Sequence, residues 1–90
     1  MAVYVDPLFA TKSRRGWRYR QACHMTADTS LELDDMAERL GLRPEWKQHP
    51  LTCREHYDLT ASKRAQALEH GARETTVREV TERRLRCQTT

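Results

Sequence analysis

A chain of 90 residues, 32% charged and 38% hydrophobic, has the composition of a soluble globular domain. At this length it buries roughly 60–65% of its unfolded surface, enough for one modest core but not for a core plus a deep separate cavity. The expected site is therefore a surface crevice or a groove completed by a second copy in a homodimer. No apolar run reaches membrane-spanning length, and Asp6-Pro7 and a basic run near the start do not resemble a signal peptide, so no membrane partner is expected.

The net charge of +3 is unevenly spread. Lys12, Arg14, Arg15, Arg18 and Arg20 fall within nine residues with no acid among them. Without those five, 11 basic residues face 13 acidic ones, so the basicity is a local patch. The three cysteines, Cys23, Cys53 and Cys87, are widely spaced, odd in number and free of any C-x-x-C pair. They are expected to be reduced, in a cytoplasmic protein, with Cys23 serving as a small buried hydrophobe.

In chain order, Ala2-Val3-Tyr4-Val5 is an apolar, β-branched and aromatic run ended by Asp6-Pro7, a first strand. Residues 7–17 form a mobile basic loop. A second strand runs from Trp17 or Arg18 to about Thr26. Its alternation puts Tyr19, Gln21, Cys23 and Met25 on one face, and Arg18, Arg20, Ala22, His24 and Thr26 on the other. Thr29-Ser30-Leu31-Glu32 is a capping box that opens a helix with Leu33, Met36, Ala37 and Leu40 as its stripe and Gly41 as its stop. Residues 45–48 suit a short strand, and Trp46 a core anchor. A loop over residues 49–55 leads to His56-Tyr57-Asp58-Leu59-Thr60-Ala61-Ser62-Lys63-Arg64. There a second helix, capped by Asp58 or Thr60, runs to Glu69 or His70 and stops at Gly71. Residues 74–77 form a brief last strand, and Thr76-Val77-Arg78-Glu79 is a capping box for a third helix to about Arg86, with residues 87–90 frayed. The alternation predicts one α/β domain over residues 1–90, with a small, largely parallel sheet of three or four short strands and about three helices. Ligands in such sheets sit beyond the carboxyl ends of the strands, an edge expected to hold Asp28 and residues 49–60.

Residues 56–64 hold an imidazole, a carboxylate, two aliphatic hydroxyls and two cations where a loop becomes a helix. A helix start offers free amides and partial positive charge, so His56, Asp58, Thr60, Ser62, Lys63 and Arg64 form the candidate site for a phosphate-bearing ligand, without the glycines of a Walker loop. His49, Cys53, His56 and Asp58 match no standard zinc spacing. Asp6, Asp28 and Asp58 are weak candidates for a divalent metal. His56 and Asp58 are two apart and share a side of an extended segment, so with His24 they are the catalytic candidates for acid–base work. Arg14, Arg15, Trp17, Arg18 and Arg20 interleave cations with an aromatic and are candidates for nucleic-acid contact.

The ordered motifs Val3-Tyr4-Val5-Asp6-Pro7, Cys23-His24-Met25-Thr26-Ala27-Asp28, Leu40-Gly41, Trp46-Lys47-Gln48, His56-Tyr57-Asp58-Leu59-Thr60, Ser62-Lys63-Arg64 and Gly71-Ala72 resemble the small phage and bacterial proteins grouped as domain of unknown function 4031. The resemblance covers residues 2–80. It implies a compact intracellular domain often carried by phages or prophages, with recurring polar positions at Asp6, His24, Asp28, His56, Asp58, Lys63 and Arg64, and it brings no activity. Many relatives carry histidine where this chain has Asp34, and the basic loop at residues 12–15 is peculiar to this member. The first functional reading is a binding module for a nucleotide or nucleic-acid phosphate at residues 56–64. The alternatives are a protein-interaction or phage accessory protein without a small-molecule site, and a small metal-dependent phosphoesterase.

Overall fold

The computed structural model describes residues 2–11 and 19–88. Five strands, β1 (Val3–Val5), β2 (Phe9–Ala10), β3 (Gln21–Ala27), β4 (Tyr57–Leu59) and β5 (Arg73–Glu74), form one sheet. Three helices, α1 (Ser30–Arg39), α2 (Ala61–Glu69) and α3 (Val77–Gln88), and a 3₁₀ turn at Pro44–Trp46 complete the domain. The architecture is α/β as the alternation predicts, but the sheet is mixed rather than largely parallel. β3 is central and pairs antiparallel with β1, β2 and β4, and β5 extends β1 in parallel. Four strands point one way, with β3 between them running the other. α1 joins two adjacent antiparallel strands, a connection that needs no helix, so strand–helix alternation alone could not distinguish it from a parallel crossover.

That one reversed strand keeps Asp28 at the same edge as residues 52–55, as expected, and puts Asp6 at the opposite end of β1. Asp28, at the carboxyl end of β3, lies beside the start of β1, where its backbone amide donates to the Ala2 carbonyl. Asp6, at the other end of β1, donates its amide to the His24 carbonyl in the middle of β3. The β1–β3 register Val5↔Met25 becomes Phe9↔Ala22 in β2. The one-residue slip is a bulge over residues 6–8, where Pro7 has no N–H for the ladder.

Alternation along β3 sorts the sheet into two faces. Cys23 and Met25 join Val3, Val5, Tyr57 and Leu59 on the apolar face, which Leu33, Met36, Ala37 and Leu40 of α1 and Ala67 of α2 cover. Tyr4, His24, Thr26 and Asp58 occupy the opposite face. α3 reaches that second face: Arg83 donates to Thr26 Oγ1 and lies 3.9 Å from the centre of the Tyr4 ring.

The helix starts and stops follow local chemistry. Thr29 accepts from the Glu32 amide, the hydroxyl half of the expected capping box, and its hydroxyl meets the Glu32 carboxylate. Thr60 caps α2 by accepting from the Lys63 amide, and Thr76 accepts from the Glu79 amide at the start of α3. Gly41 and Gly71 follow their helices at φ +76° and +98°, the left-handed region where a Cβ is strained.

Several expectations need correction. Glu45 and Trp46 turn in 3₁₀ form after Pro44 rather than extending, and only Lys47 and Gln48 are extended, with Gln48 bridging to His56. Trp46 is 53% exposed with Arg43 over its ring, so it anchors no core. Part of the expected loop over residues 7–17 is strand β2, and Tyr57, Asp58 and Leu59 are strand β4 rather than only a loop leading to the helix. Cys53 and Cys87 are joined in a disulfide with Cα atoms 5.8 Å apart, against the expectation of reduced thiols. Their 34-residue separation is invisible to spacing rules, because contact depends on α3 folding back over residues 49–55. Among the described residues, no helix is long and apolar enough to cross a membrane.

Candidate metal centre

The polar face of the sheet carries a cluster built on one cross-strand pair. The β3–β4 register sets His24 directly opposite Asp58, so their side chains rise together. His56 stands two residues before Asp58 and therefore on the same side. His24 Nε2 lies 4.0 Å and His56 Nε2 3.4 Å from Asp58 Oδ1. One ligand atom each from His24, His56 and Asp58 falls within 4.8 Å of the others.

Each imidazole is held from behind. His24 Nδ1 lies 2.7 Å from Asp6 Oδ2, and Asp6 Oδ1 accepts from the His24 amide at 2.6 Å. Both bonds depend on the bulge, which presents the buried Asp6 carboxylate to the middle of β3. His56 Nδ1 lies 2.7 Å from the Arg54 carbonyl, an acceptor only, so Nδ1 carries the proton. Asp6, as a carboxylate, imposes the same tautomer on His24. Both Nε2 lone pairs then face Asp58 Oδ1, while Gln48 Nε2 donates to Asp58 Oδ2 at 2.6 Å and fixes the carboxylate. Phe9 lies against the His24 ring, with centroids 5.2 Å apart, and the His56 ring meets it edge-on, also at 5.2 Å.

Three acceptors aimed at one point repel one another unless a positive charge lies between them. A proton on His56 is one source of that charge. Burial disfavours a charged His56, but hydrogen bonds to Asp58 and to the Arg54 carbonyl, with the Asp58 charge, outweigh burial and raise its pKa above the ordinary 6.5, while Arg84 opposes them. A divalent ion is the alternative occupant. Tetrahedral ligation at about 2.1 Å spaces ligand atoms by about 3.4 Å. The His56–Asp58 separation already equals this, whereas His24, 4.0 Å from Asp58 in a set whose ligand atoms lie within 4.8 Å of one another, has to move inward to complete it. Two histidines and one carboxylate, each histidine bonded through its far nitrogen, are the ligand set and supporting shell of catalytic zinc and related sites with open positions.

The remaining sequence candidates divide clearly. Asp58 and His56 of the expected phosphate site belong to the cluster. Thr60, Ser62, Lys63 and Arg64 make bonds within the fold: Ser62 Oγ accepts from Gln66, Lys63 Nζ donates to the Leu40 carbonyl at 2.6 Å, and Arg64 Nε donates to the Asp6 carbonyl at 2.9 Å with its other end on Glu74. Lys63 thus caps α1, and Arg64 steadies the residue that holds His24. Asp28 receives the Ala2 amide and the Tyr4 hydroxyl. Arg14, Arg15, Trp17 and Arg18 lie outside the described residues, and Arg20 is exposed. Burial first, then the Asp6 charge, pushes the Cys23 thiol up to about 12, which leaves it an inert core residue.

Sequence reasoning missed Phe9, Gln48 and the Arg54 carbonyl. Gln48 had a signal only in pairing: it bridges to His56 in antiparallel fashion, which brings its side chain to Asp58.

The sequence profile of a family described as protein of unknown function (DUF4031) matches residues 3–87. The chain belongs to this family. No curated protein and no solved structure matches it. DUF4031 membership carries no activity with it, so the roles of His24, His56 and Asp58 rest on geometry.

Proposed function

We propose that this chain binds one divalent transition-metal ion through His24 Nε2, His56 Nε2 and Asp58 Oδ1, and that it uses the ion to hold and hydrolyse a phosphate-bearing substrate. The convergence of three oriented acceptors within 4.8 Å carries the reading. A bound ion of this kind supplies a Lewis acid for a phosphoryl oxygen and lowers the pKa of a bound water toward neutrality. The protein's part is to orient the two imidazoles through Asp6 and Arg54, to hold Asp58 through Gln48, and to leave the fourth side open. His49, its ring centroid 6.0 Å from that of His56, is the neighbouring titratable ring available to carry a proton away. The interaction-protein alternative predicts that His56 and Asp58 are buried against each other, and they are 9% and 6% exposed and 3.4 Å apart. What favours a binding site is the adjoining His24, whose side chain is 32% exposed.

The test is titration of metal-free protein with cobalt(II), followed by its visible absorption. The expected result is one ion per chain with the intense bands of four-coordinate cobalt, zinc displacing it, and binding lost in His24→Ala and Asp58→Asn. Phosphatase assays with a bis-aryl phosphodiester and an aryl phosphate then read activity in the cobalt and zinc forms. Folded wild-type protein that takes up neither metal, or variants that bind as tightly as wild type, would refute the centre.

A further inference from the structure

A crevice of about 480 Å³ opens between α3, the first turn of α1 and residues 52–55. Its volume suits a small ligand. Its chemistry is set by α3. Val80 is buried and Cys87 is tied to Cys53, so the helix is pinned at both ends of one face. Arg83 and Arg84 stand three and four residues after Val80 and so share that inward face. An amphipathic helix normally turns apolar residues inward, and here two arginines take their place.

Arg83 is held by Thr26, Thr75 and the Tyr4 ring, and by no carboxylate among the described residues. Arg84 is half-exposed and makes no hydrogen bond or ion pair with any described residue. Arg86 adds a third guanidinium to the lining. The two lining carboxylates have partners outside the lining arginines: Asp28 bonds Ala2 and Tyr4, and Glu55 bonds Lys47, Ser30 and the Leu51 amide. Thr29 and Ser30, the residues that open α1, line the same space, so the helix start adds partial positive charge there. The lining holds no aromatic ring, so nothing there stacks on a base.

The crevice adjoins the metal centre. Continuing the β3–β4 register from Met25↔Tyr57 puts Thr26, a lining residue, across from His56. Glu55, another lining residue, immediately precedes His56.

We infer that the arginine-lined crevice binds the phosphate of a small phosphorylated ligand and directs its ester toward the His24–His56–Asp58 centre. The second half rests on the metal reading; phosphate capture does not. Guanidinium forks match phosphate oxygens in pairs, and the start of a helix adds further donors. The ligand is recognised by its phosphate, with the uncharged part facing Thr26 and Ser30.

The experiment is an NMR titration of chelator-treated, metal-free protein at low salt, with inorganic phosphate, ribose 5-phosphate and ribose as probes. Phosphate and ribose 5-phosphate are expected to move the amides of Thr26, Ser30 and the second half of α3, and ribose to move none. Arg84→Gln should weaken both phosphates about tenfold, as loss of a charged hydrogen-bond partner does. Arg78→Gln, which removes an exposed pair with Glu82, should leave them unchanged. Equal binding by wild type and Arg84→Gln, or shifts confined to other surfaces, overturns the inference. Tighter binding of a single-stranded oligonucleotide at the same amides overturns the small-ligand assignment. Cobalt titration of the same samples separates the two readings. Protein that binds cobalt but no phosphate sinks the crevice alone, and protein that binds phosphate but no cobalt sinks the metal centre alone.

Discussion

Asp58→Asn is the most informative change, because it keeps the shape of the side chain and removes its charge. Asp58 meets His56 Nε2 at 3.4 Å and accepts from Gln48 at 2.6 Å, with only 6% of its side chain exposed. In metal-free protein, the raised His56 pKa makes the His56–Asp58 contact a source of stability. The contribution is full below the unfolded-state value of about 6.5 and is lost as pH rises through the higher folded value. A hydrogen bond to a charged group is worth about 1.5–3 kcal/mol, so the variant should lose roughly that much at pH about 5.5 and less at pH about 8.5. Urea denaturation with chelator present, at both pH values, measures the difference. Zinc reverses the pH trend, since it competes with the His56 proton and binds better as pH rises. At a hundredfold excess over its Kd it adds about 2.7 kcal/mol to wild type, roughly 10–20 °C in Tm, and almost nothing to Asp58→Asn. A loss of stability independent of pH, or equal stabilisation of both proteins by zinc, would refute the coupled proton-and-metal site.

Reducing the Cys53–Cys87 disulfide, or replacing both residues by serine, should destabilise the chain by up to about 4 kcal/mol on chain-entropy grounds for a 34-residue separation, read by urea denaturation with and without a dithiol. Coincident unfolding curves would show that the link contributes nothing. Gly71→Ala meets no atom within 4 Å, so its cost is backbone strain at φ +98°, about 1–2 kcal/mol by thermal denaturation, with metal affinity unchanged. Lys63→Ala removes the donor to the Leu40 carbonyl at the end of α1 and should cost about 1 kcal/mol of stability. Its cobalt and phosphate titrations should match wild type; weaker phosphate binding would restore Lys63 to the ligand site.

Local chemistry was legible where it depends on nearby residues. The hydroxyl caps at Thr29 and Thr76, Thr60 of the two caps read for α2, the glycine stops and the apolar stripe of α1 are written within a few positions of one another and form as read. The glutamates of the two boxes meet the Thr29 and Thr75 hydroxyls instead of the cap amides. Alternation along β3 also placed His24 away from the core and His56 and Asp58 on one side of their segment. The family followed from ordered motifs spread across the chain.

What tertiary structure decided was pairing. Direction is not encoded in a strand's period, so the reversed β3 could not be read in advance, and it alone sets His24 against Asp58 while parting Asp28 from Asp6. Lys63 and Arg64 looked like ligand donors because a cation's partner is unknowable until distant carbonyls arrive, here those of Leu40 and Asp6. The disulfide and the inward arginines of α3 depend in the same way on contacts between segments far apart in the chain. The sequence by itself determined which residues carry the chemistry and which face of each element they occupy, because periodicity and capping are short-range. Only the folded chain determined which of them meet, because strand register and helix docking are settled by burying the apolar face of the whole sheet at once.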